Sequence, residues 1–205
     1  MKKIFLIAIL SFLLFKPSFS QNKDDNRFSL VVSPVVSWMR TDNPTIDGTS
    51  AITGINFGVI YDKFFGDNYA ISTGVSIVNT GGKLKHFANE SSAAQIVDTY
   101  KLRYLEIPIG LKLRSADFRQ INIYADLGVA PQFKMKAVDK KNNSWKNDIR
   151  HVDLSYYFGG GIEYSLNSKN ALLLGARFNN GLLDITKVKD RTILNRLSFN
   201  LGFIF

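Results

Sequence analysis

Residues 104–113 read Tyr-Leu-Glu-Ile-Pro-Ile-Gly-Leu-Lys-Leu. Leu105, Ile107, Ile109, Leu111 and Leu113 fall on one parity, and Glu106, Pro108, Gly110 and Lys112 on the other. Side chains of a strand point alternately to opposite faces, so period-two alternation of this kind is a strand with two unlike surfaces. One surface is aliphatic; the other is small, polar or charged.

The same pattern runs outward in both directions. Upstream, Phe28, Leu30, Val32, Val36 and Trp38 oppose Ser29, Ser33 and Ser37. Ile55, Phe57, Val59 and Tyr61 oppose Gly54, Asn56 and Gly58, and Tyr69, Ile71, Val75 and Ile77 oppose Ala70, Ser72, Gly74 and Ser76. Downstream, Ile121, Ile123, Leu127 and Val129 oppose Asn122, Tyr124, Asp126, Gly128 and Gln132, while Leu154, Tyr156, Phe158, Ile162 and Tyr164 oppose Asp153, Ser155, Gly159, Gly161 and Glu163. Segment 171–180 is noisier, with Arg177 opposite Leu172, Leu174 and Phe178 in parity. The last segment sets Leu197, Phe199, Leu201, Phe203 and Phe205 against Ser198, Asn200 and Gly202.

The eight segments are joined alternately by long polar connections, 41–50, 80–97, 137–150 and 182–192, and by tight turns, 62–67, 114–119 and 166–170. A barrel with two unlike ends has this rhythm, short turns facing the periplasm and long loops facing outward. The interior of an eight-stranded barrel is only just filled by side chains, so four or five large apolar residues per strand would overfill it. Small and polar residues therefore belong inside and the apolar face belongs in lipid, where each large side chain gains roughly 1.5–3 kcal/mol. The expected fold is all-β, an eight-stranded antiparallel up-and-down transmembrane β-barrel. Tyr61, Tyr69, Tyr164 and Phe205 near the turns, and Trp38 at the opposite rim, occupy positions of the aromatic girdles. Pro34 and Pro108 cannot donate to a ladder and are expected at a bulge or bend.

The N-terminus opens Met1-Lys2-Lys3, continues apolar from Ile4 to Phe15 and reaches small residues at Ser18 and Ser20. This is a secretory signal, 1–20, with cleavage after Ser20. Residues 21–26 then form a polar, flexible leader, and 27–205 the barrel domain. No cysteine is present, which excludes lipidation at the cleavage site and disulfide stapling. The chain carries 26 basic and 17 acidic residues; without Lys2, Lys3 and Lys16 the balance is 23 to 17. For an exported protein the counterparts of such a surface are anionic lipid or polysaccharide sooner than nucleic acid, and a merely solvated basic surface is the leading expectation.

Arg177 at mid-strand would cost roughly 2–4 kcal/mol facing lipid and is therefore assigned to the lumen. Glu106 and Asp126 share its parity and depth; Lys112 and Glu163 share its parity nearer the turns. These five residues are expected to form a charged network that fills and pins the barrel, with Arg177 paired to one or both mid-depth carboxylates. Gly159 and Gly161 are expected to leave space for its guanidinium. The two histidines, His86 and His151, lie in or beside long connections without a nucleophile motif, so no enzyme is expected; Asp153 with His151 is the weak exception. Asp42, Asn43 and Asp47 lack the spacing of a calcium loop, and neither metal nor cofactor is expected. Lys140, Lys141, Trp145, Lys146 and, in the last loop, Lys187, Lys189 and Arg191 are candidates to hold lipopolysaccharide phosphates or an envelope protein partner.

The stretch Tyr104–Lys112, together with Gly159-Gly160-Gly161-Ile162-Glu163-Tyr164 and Arg177-Phe178-Asn179-Asn180-Gly181-Leu182, resembles the PorT-like outer-membrane β-barrel family common in Bacteroidetes. The resemblance implies an eight-stranded barrel of the bacterial outer membrane, generally without assigned enzymatic activity; it does not by itself carry over a secretion role. A C-terminal strand ending at Phe205 likewise resembles the segment read by the outer-membrane assembly machinery. The leading functional expectation is a structural or interaction barrel with a filled lumen. A small-solute channel, and a soluble periplasmic ligand-binding barrel with the two faces reversed, are the rivals.

Overall fold

A computed structural model describes residues 26–42, 47–87, 95–116, 118–139, 149–167, 169–185 and 192–205. Its strands are β1 (Asn26–Thr41), β2 (Asp47–Ser50), β3 (Ile52–Gly66), β4 (Tyr69–Phe87), β5 (Gln95–Glu106), β6 (Ile109–Arg114), β7 (Ile121–Asp139), β8 (Val152–Ser165), β9 (Ala171–Gly181) and β10 (Thr192–Ile204). They make eight staves. β2 continues β3 along the edge of β4 after a bulge. β5 and β6 are one stave, since both keep a single register against β4 and a single register against β7 across the break. Each stave pairs antiparallel with its sequence neighbours, and β10 returns to β1 to close the barrel.

The prolines behave differently from one another. Pro108 sits in the break between β5 and β6, where the Ile107 amide still donates to the Pro131 carbonyl at 3.0 Å. Pro34 causes no register shift: it pairs with Ile55 of β3, and the ladder to β10 passes from Val32 to Val35 without a slip. A proline is tolerated there because its missing donor costs one ladder bond without displacing the strand.

Every stave exposes large apolar side chains outward, among them Leu30, Phe57, Ile71, Leu111, Leu127 and Phe158, while Ser29, Asn56, Ser72, Lys112, Asp126 and Glu163 are buried inside. On β1 the apolar face runs from Phe28 to Trp38. Ten steps of about 3.3 Å, tilted by roughly 40°, rise about 25 Å, the height of an outer-membrane belt. At the turn side the Phe28 ring lies 4.9 Å from that of Tyr61, tilted by 40°, and stacks 6.2 Å from Phe205, and at the other edge Trp38 lies 6.1 Å from Phe178. Those are the expected girdle positions.

The strands run further than the alternation indicates. Much of the segment expected as a loop at 80–97 is a strand pair, with Gly81 opposite Lys101 and Phe87 opposite Gln95. β7 extends to Asp139, and β1 begins at Asn26, inside the expected leader. The physical reason is a change of rule above the belt. A bulge between Arg103 and Tyr104 inserts one residue into β7, so that Met135 and Lys136 are both exposed and Ala137 turns inward. Beyond it the outer face carries Lys101 and Arg103, while Leu102, Tyr104 and Ala137 are buried. Gly81, with φ +149°, lies close against the Tyr100 carbonyl, a backbone approach that a Cβ would block. The faces are therefore those of a membrane barrel below and of a water-soluble barrel above.

The expected signal peptide 1–20 and residues 21–25 of the leader lie outside the described residues.

Candidate functional site

The lumen is built in three levels. Nearest the short turns, Lys112 of β6 lies between Asp62 of β3 at 2.7 Å and Glu163 of β8 at 2.6 Å. Arg114 reaches the other oxygen of Glu163 at 3.1 Å, and Arg27 approaches it at 3.4 Å. The Ser72 hydroxyl donates to Asp62 at 2.6 Å, and Arg114 donates to Asn122 at 2.5 Å. Six staves are thus tied together by one cluster of ions and its hydrogen bonds. Removing water from a charge costs several kcal/mol, which only close partners return; here Asp62 has Lys112 and the Ser72 hydroxyl, and Glu163 has three cations.

At mid-depth Arg177 of β9 donates to Asp126 of β7, and its guanidinium lies over the Tyr157 ring at 4.3 Å. Above it, Arg196 of β10 donates to Glu106 of β5. The expected five luminal residues are therefore all inside, and among the described residues Arg177 pairs with the Asp126 carboxylate alone, while Glu106 belongs to Arg196. The space at Gly159 is also assigned differently from the expectation. A Cβ there would meet Asp126 Oδ1 at 2.5 Å, so Gly159 accommodates the carboxylate, and Gly161 allows the backbone of Gly175 to approach. Gly175 in turn faces the Tyr124 hydroxyl, and Gly110 and Gly128 face that of Tyr157, so these tyrosines reach across the lumen wall to glycines one or two staves away.

Between the charge pairs lies a cavity with about 60 Å³ of space for water centres, lined by Ser33, Asn56, Glu106, Asp126, Arg177 and Arg196 among others. At roughly 10–15 Å³ per water, it is sized for a few waters. Asp126 Oδ1, Arg177 Nε, Asn179 Nδ2 and Arg196 Nη1, all on lining residues, have no hydrogen-bond partner among the described residues.

The third level is apolar. Met39, Val78, Leu102, Tyr104, Ala137 and Leu194 pack with Ile149 and Ile185, which lie outside the strands on the connections β7–β8 and β9–β10. The two connections are joined to each other. The Arg150 amide donates to the Ile185 carbonyl at 2.9 Å, the Ile185 amide to Thr192 at 2.9 Å, and the Thr192 amide to the Asp184 carboxylate at 3.0 Å. Arg150 and Asp184 complete the link as an ion pair at 3.8 Å.

Asp62, Arg114 and Arg196 are members that reading the sequence missed. All three obey the inward parity; the first two were absorbed into the turns 62–67 and 114–119, and Arg196 stands just above the last segment as traced from Leu197. His151 is exposed and Asp153 is buried, and no hydrogen bond or ion pair joins them among the described residues. Lys140, Lys141, Trp145, Lys146, Lys187, Lys189 and Arg191 lie outside the described residues, as does Asn43.

A closed, eight-stranded antiparallel barrel with an apolar belt and an ionised interior is a membrane barrel of the bacterial outer-membrane class. Residues 16–187 match the model of the outer membrane protein beta-barrel domain, and the chain belongs to that family. Among solved structures it is similar to the outer membrane protein OprG of Pseudomonas aeruginosa, with 11% identity, a TM-score of 0.53, and coverage of 89% of this chain and 96% of that one. It is similar to Neisserial surface protein A, with 13% identity, a TM-score of 0.52, and coverage of 86% and 95%. A third similar fold is the outer membrane protease OmpT of Escherichia coli, with 10% identity, a TM-score of 0.50, and coverage of 92% and 98%. At such identities the likeness is one of fold. No curated protein matches the chain in sequence.

Proposed function

We propose that this chain is a PorT-like outer-membrane barrel that catalyses no reaction and conducts no solute, and that works as a rigid platform for its outer connections. It reaches the outer membrane through the signal 1–20, cleaved after Ser20. Its last strand, β10, with Phe205 following it, is the segment handed to the assembly machinery. That strand closes the barrel: the amides of Phe28 and Phe205 donate to each other's carbonyls at 3.1 and 2.9 Å.

The observation that carries this reading is that the lumen is occupied at every level, by ion clusters below and by the apolar plug holding Ile149 and Ile185 above. A channel needs a continuous aqueous path, whereas here the cavity holds only a few waters between two filled layers. Reconstituted into planar bilayers, the protein is expected to give no conductance steps above bare lipid. Steady, reproducible steps would sink the platform reading and favour a small-solute channel.

Binding then falls to the outer connections. Lys140, Lys141 and Lys146 around Trp145, together with Lys187, Lys189 and Arg191, are the basic residues we assign to lipopolysaccharide phosphates or to an envelope protein. Charge reversal at Lys140, Lys141 and Lys146 is expected to reduce retention of that partner in pull-downs from solubilised envelopes; undiminished retention would remove these residues from the assignment.

A further inference from the structure

The outer wall just above the apolar belt carries three cations in one group. Arg103 on β5 is paired directly across the ladder with Lys136 on β7, and Lys101 follows two residues along β5, paired with Val138. Directly opposed residues of an antiparallel ladder lie about 5 Å apart and diagonal ones about 7–8 Å, so the three charges share one small patch. Lys101, Arg103 and Lys136 are all exposed, and among the described residues none of them pairs with a carboxylate. Two like charges directly opposed destabilise a sheet unless an outside anion offsets them. The β7 bulge is what brings Lys136 to this face.

Arg103 is held in place. Its Nε donates to Asn79 Oδ1 at 2.8 Å, and the Asn79 amide group donates to the Ile55 carbonyl at 2.6 Å. The guanidinium is thereby oriented, and among the described residues neither terminal nitrogen has a partner, which leaves the fork that suits a phosphate bidentately. Immediately below, Phe133 and Met135 are exposed on β7, with Leu105 beside them on β5. The partner must therefore be anionic at its head and apolar at its tail.

We propose that Arg103, Lys101 and Lys136 form a phosphate site on the outer wall for a phosphorylated, acylated lipid of the outer leaflet, its chains lying over Met135 and Phe133. The site uses none of the loop residues assigned above and stands whether or not the lumen conducts. Cations near a membrane surface contribute about five-fold each in affinity.

The test uses the full mature protein in phosphatidylcholine nanodiscs titrated with bisphosphorylated lipid A, with bound lipid counted by native mass spectrometry. A variant with Lys101→Gln, Arg103→Gln and Lys136→Gln should lose on the order of a hundred-fold in affinity. A control with Arg119→Gln and Lys169→Gln, at the short turns, should lose nothing. Arg103→Lys keeps the charge but not the fork, and should show a smaller loss, so the site can be judged even if the triple variant folds poorly by heat-modifiable gel mobility. Dephosphorylated lipid A should bind the wild-type protein as weakly as bisphosphorylated lipid A binds the triple variant. Unchanged affinity in the triple variant, or equal binding of the dephosphorylated lipid, would overturn the proposal.

Discussion

At the level of Lys112 the wall is apolar outside and ionised inside; at the level of Leu102, further along the same stave, it is charged outside and apolar inside. Both levels belong to one continuous antiparallel ladder, so backbone pairing alone cannot distinguish them. The solvent does. In hydrocarbon an outward arginine is costly and an outward leucine is at home, and the interior is left to residues too polar for lipid. In water the ordinary assignment returns, with Leu102 and Tyr104 buried and Lys101 and Arg103 facing out. The bulge at Met135 lets one strand change phase at that crossing. A barrel of this length is two proteins by composition and one by hydrogen bonding.

The comparison is broken most severely from the ionised side. Lys112→Met leaves Asp62 and Glu163 buried close to each other without their shared cation. Removing one member of a buried ion cluster costs about 3–5 kcal/mol, and urea unfolding from lipid vesicles should show a loss of that size. Adding Asp62→Asn to Lys112→Met should recover much of it, because the uncompensated Asp62 charge goes with the cation while Glu163 keeps Arg114 and Arg27. A Lys112→Met variant as stable as the parent would mean that the cluster is solvated and does not pin the staves.

In the upper half the corresponding loss is a cavity. Leu102→Ala removes a buried side chain from the plug around Ile149 and Ile185 and should cost about 2–5 kcal/mol by the same measurement. The two variants should differ in kind as well as size. Leu102→Ala loosens the mouth, so amide exchange at Arg150 and Ile185 should rise while the turn-side ladder stays protected; Lys112→Met should do the reverse.

Much of the lower half was legible in the sequence because one rule governs it. Parity placed Glu106, Lys112, Asp126, Glu163 and Arg177 in the lumen, and the two faces at Leu111 and Lys112 are those the structure shows. Pairing was not legible. Arg177 has two carboxylates of suitable parity and depth, and only the register between β7, β8 and β9 selects Asp126. Residues 80–87, 95–97 and 137–139 of the upper half were read as loop because the alternation loses its phase just where Gly81-Gly82 and the Met135 bulge interrupt it. Ile149 and Ile185 carried no local signal at all; a lone isoleucine in a polar connection becomes a core residue only when two connections meet.

A third variant tests the lipid face directly. Leu127, exposed on β7 near the middle of the belt, pairs with Leu111 on one side and Phe158 on the other. Leu127→Arg should cost roughly 2–4 kcal/mol in vesicles. In a detergent micelle, which yields more readily around a charge, the loss should be smaller. Equal losses in the two media would place the penalty in the protein's own packing and not in the surrounding hydrocarbon.

The smallest effect is expected from the change that looks most similar on paper. Arg40 is exposed on the outward face of β1, two residues beyond Trp38, and no partner holds it among the described residues. Were the belt to continue to this height, Arg40→Leu would remove a charge from lipid and stabilise the barrel by as much as Leu127→Arg destabilises it. With the wall in water from Trp38 outward, the exchange is an ordinary surface substitution and should fall within about 0.5 kcal/mol of the parent. The sign of the deviation is informative. A gain above about 1 kcal/mol would raise the hydrocarbon boundary past Arg40 and, with it, past Arg103 and Lys136 on the opposite wall. A null result fixes the boundary between Trp38 and Arg40, the level at which a girdle indole and a headgroup-facing guanidinium are each best solvated.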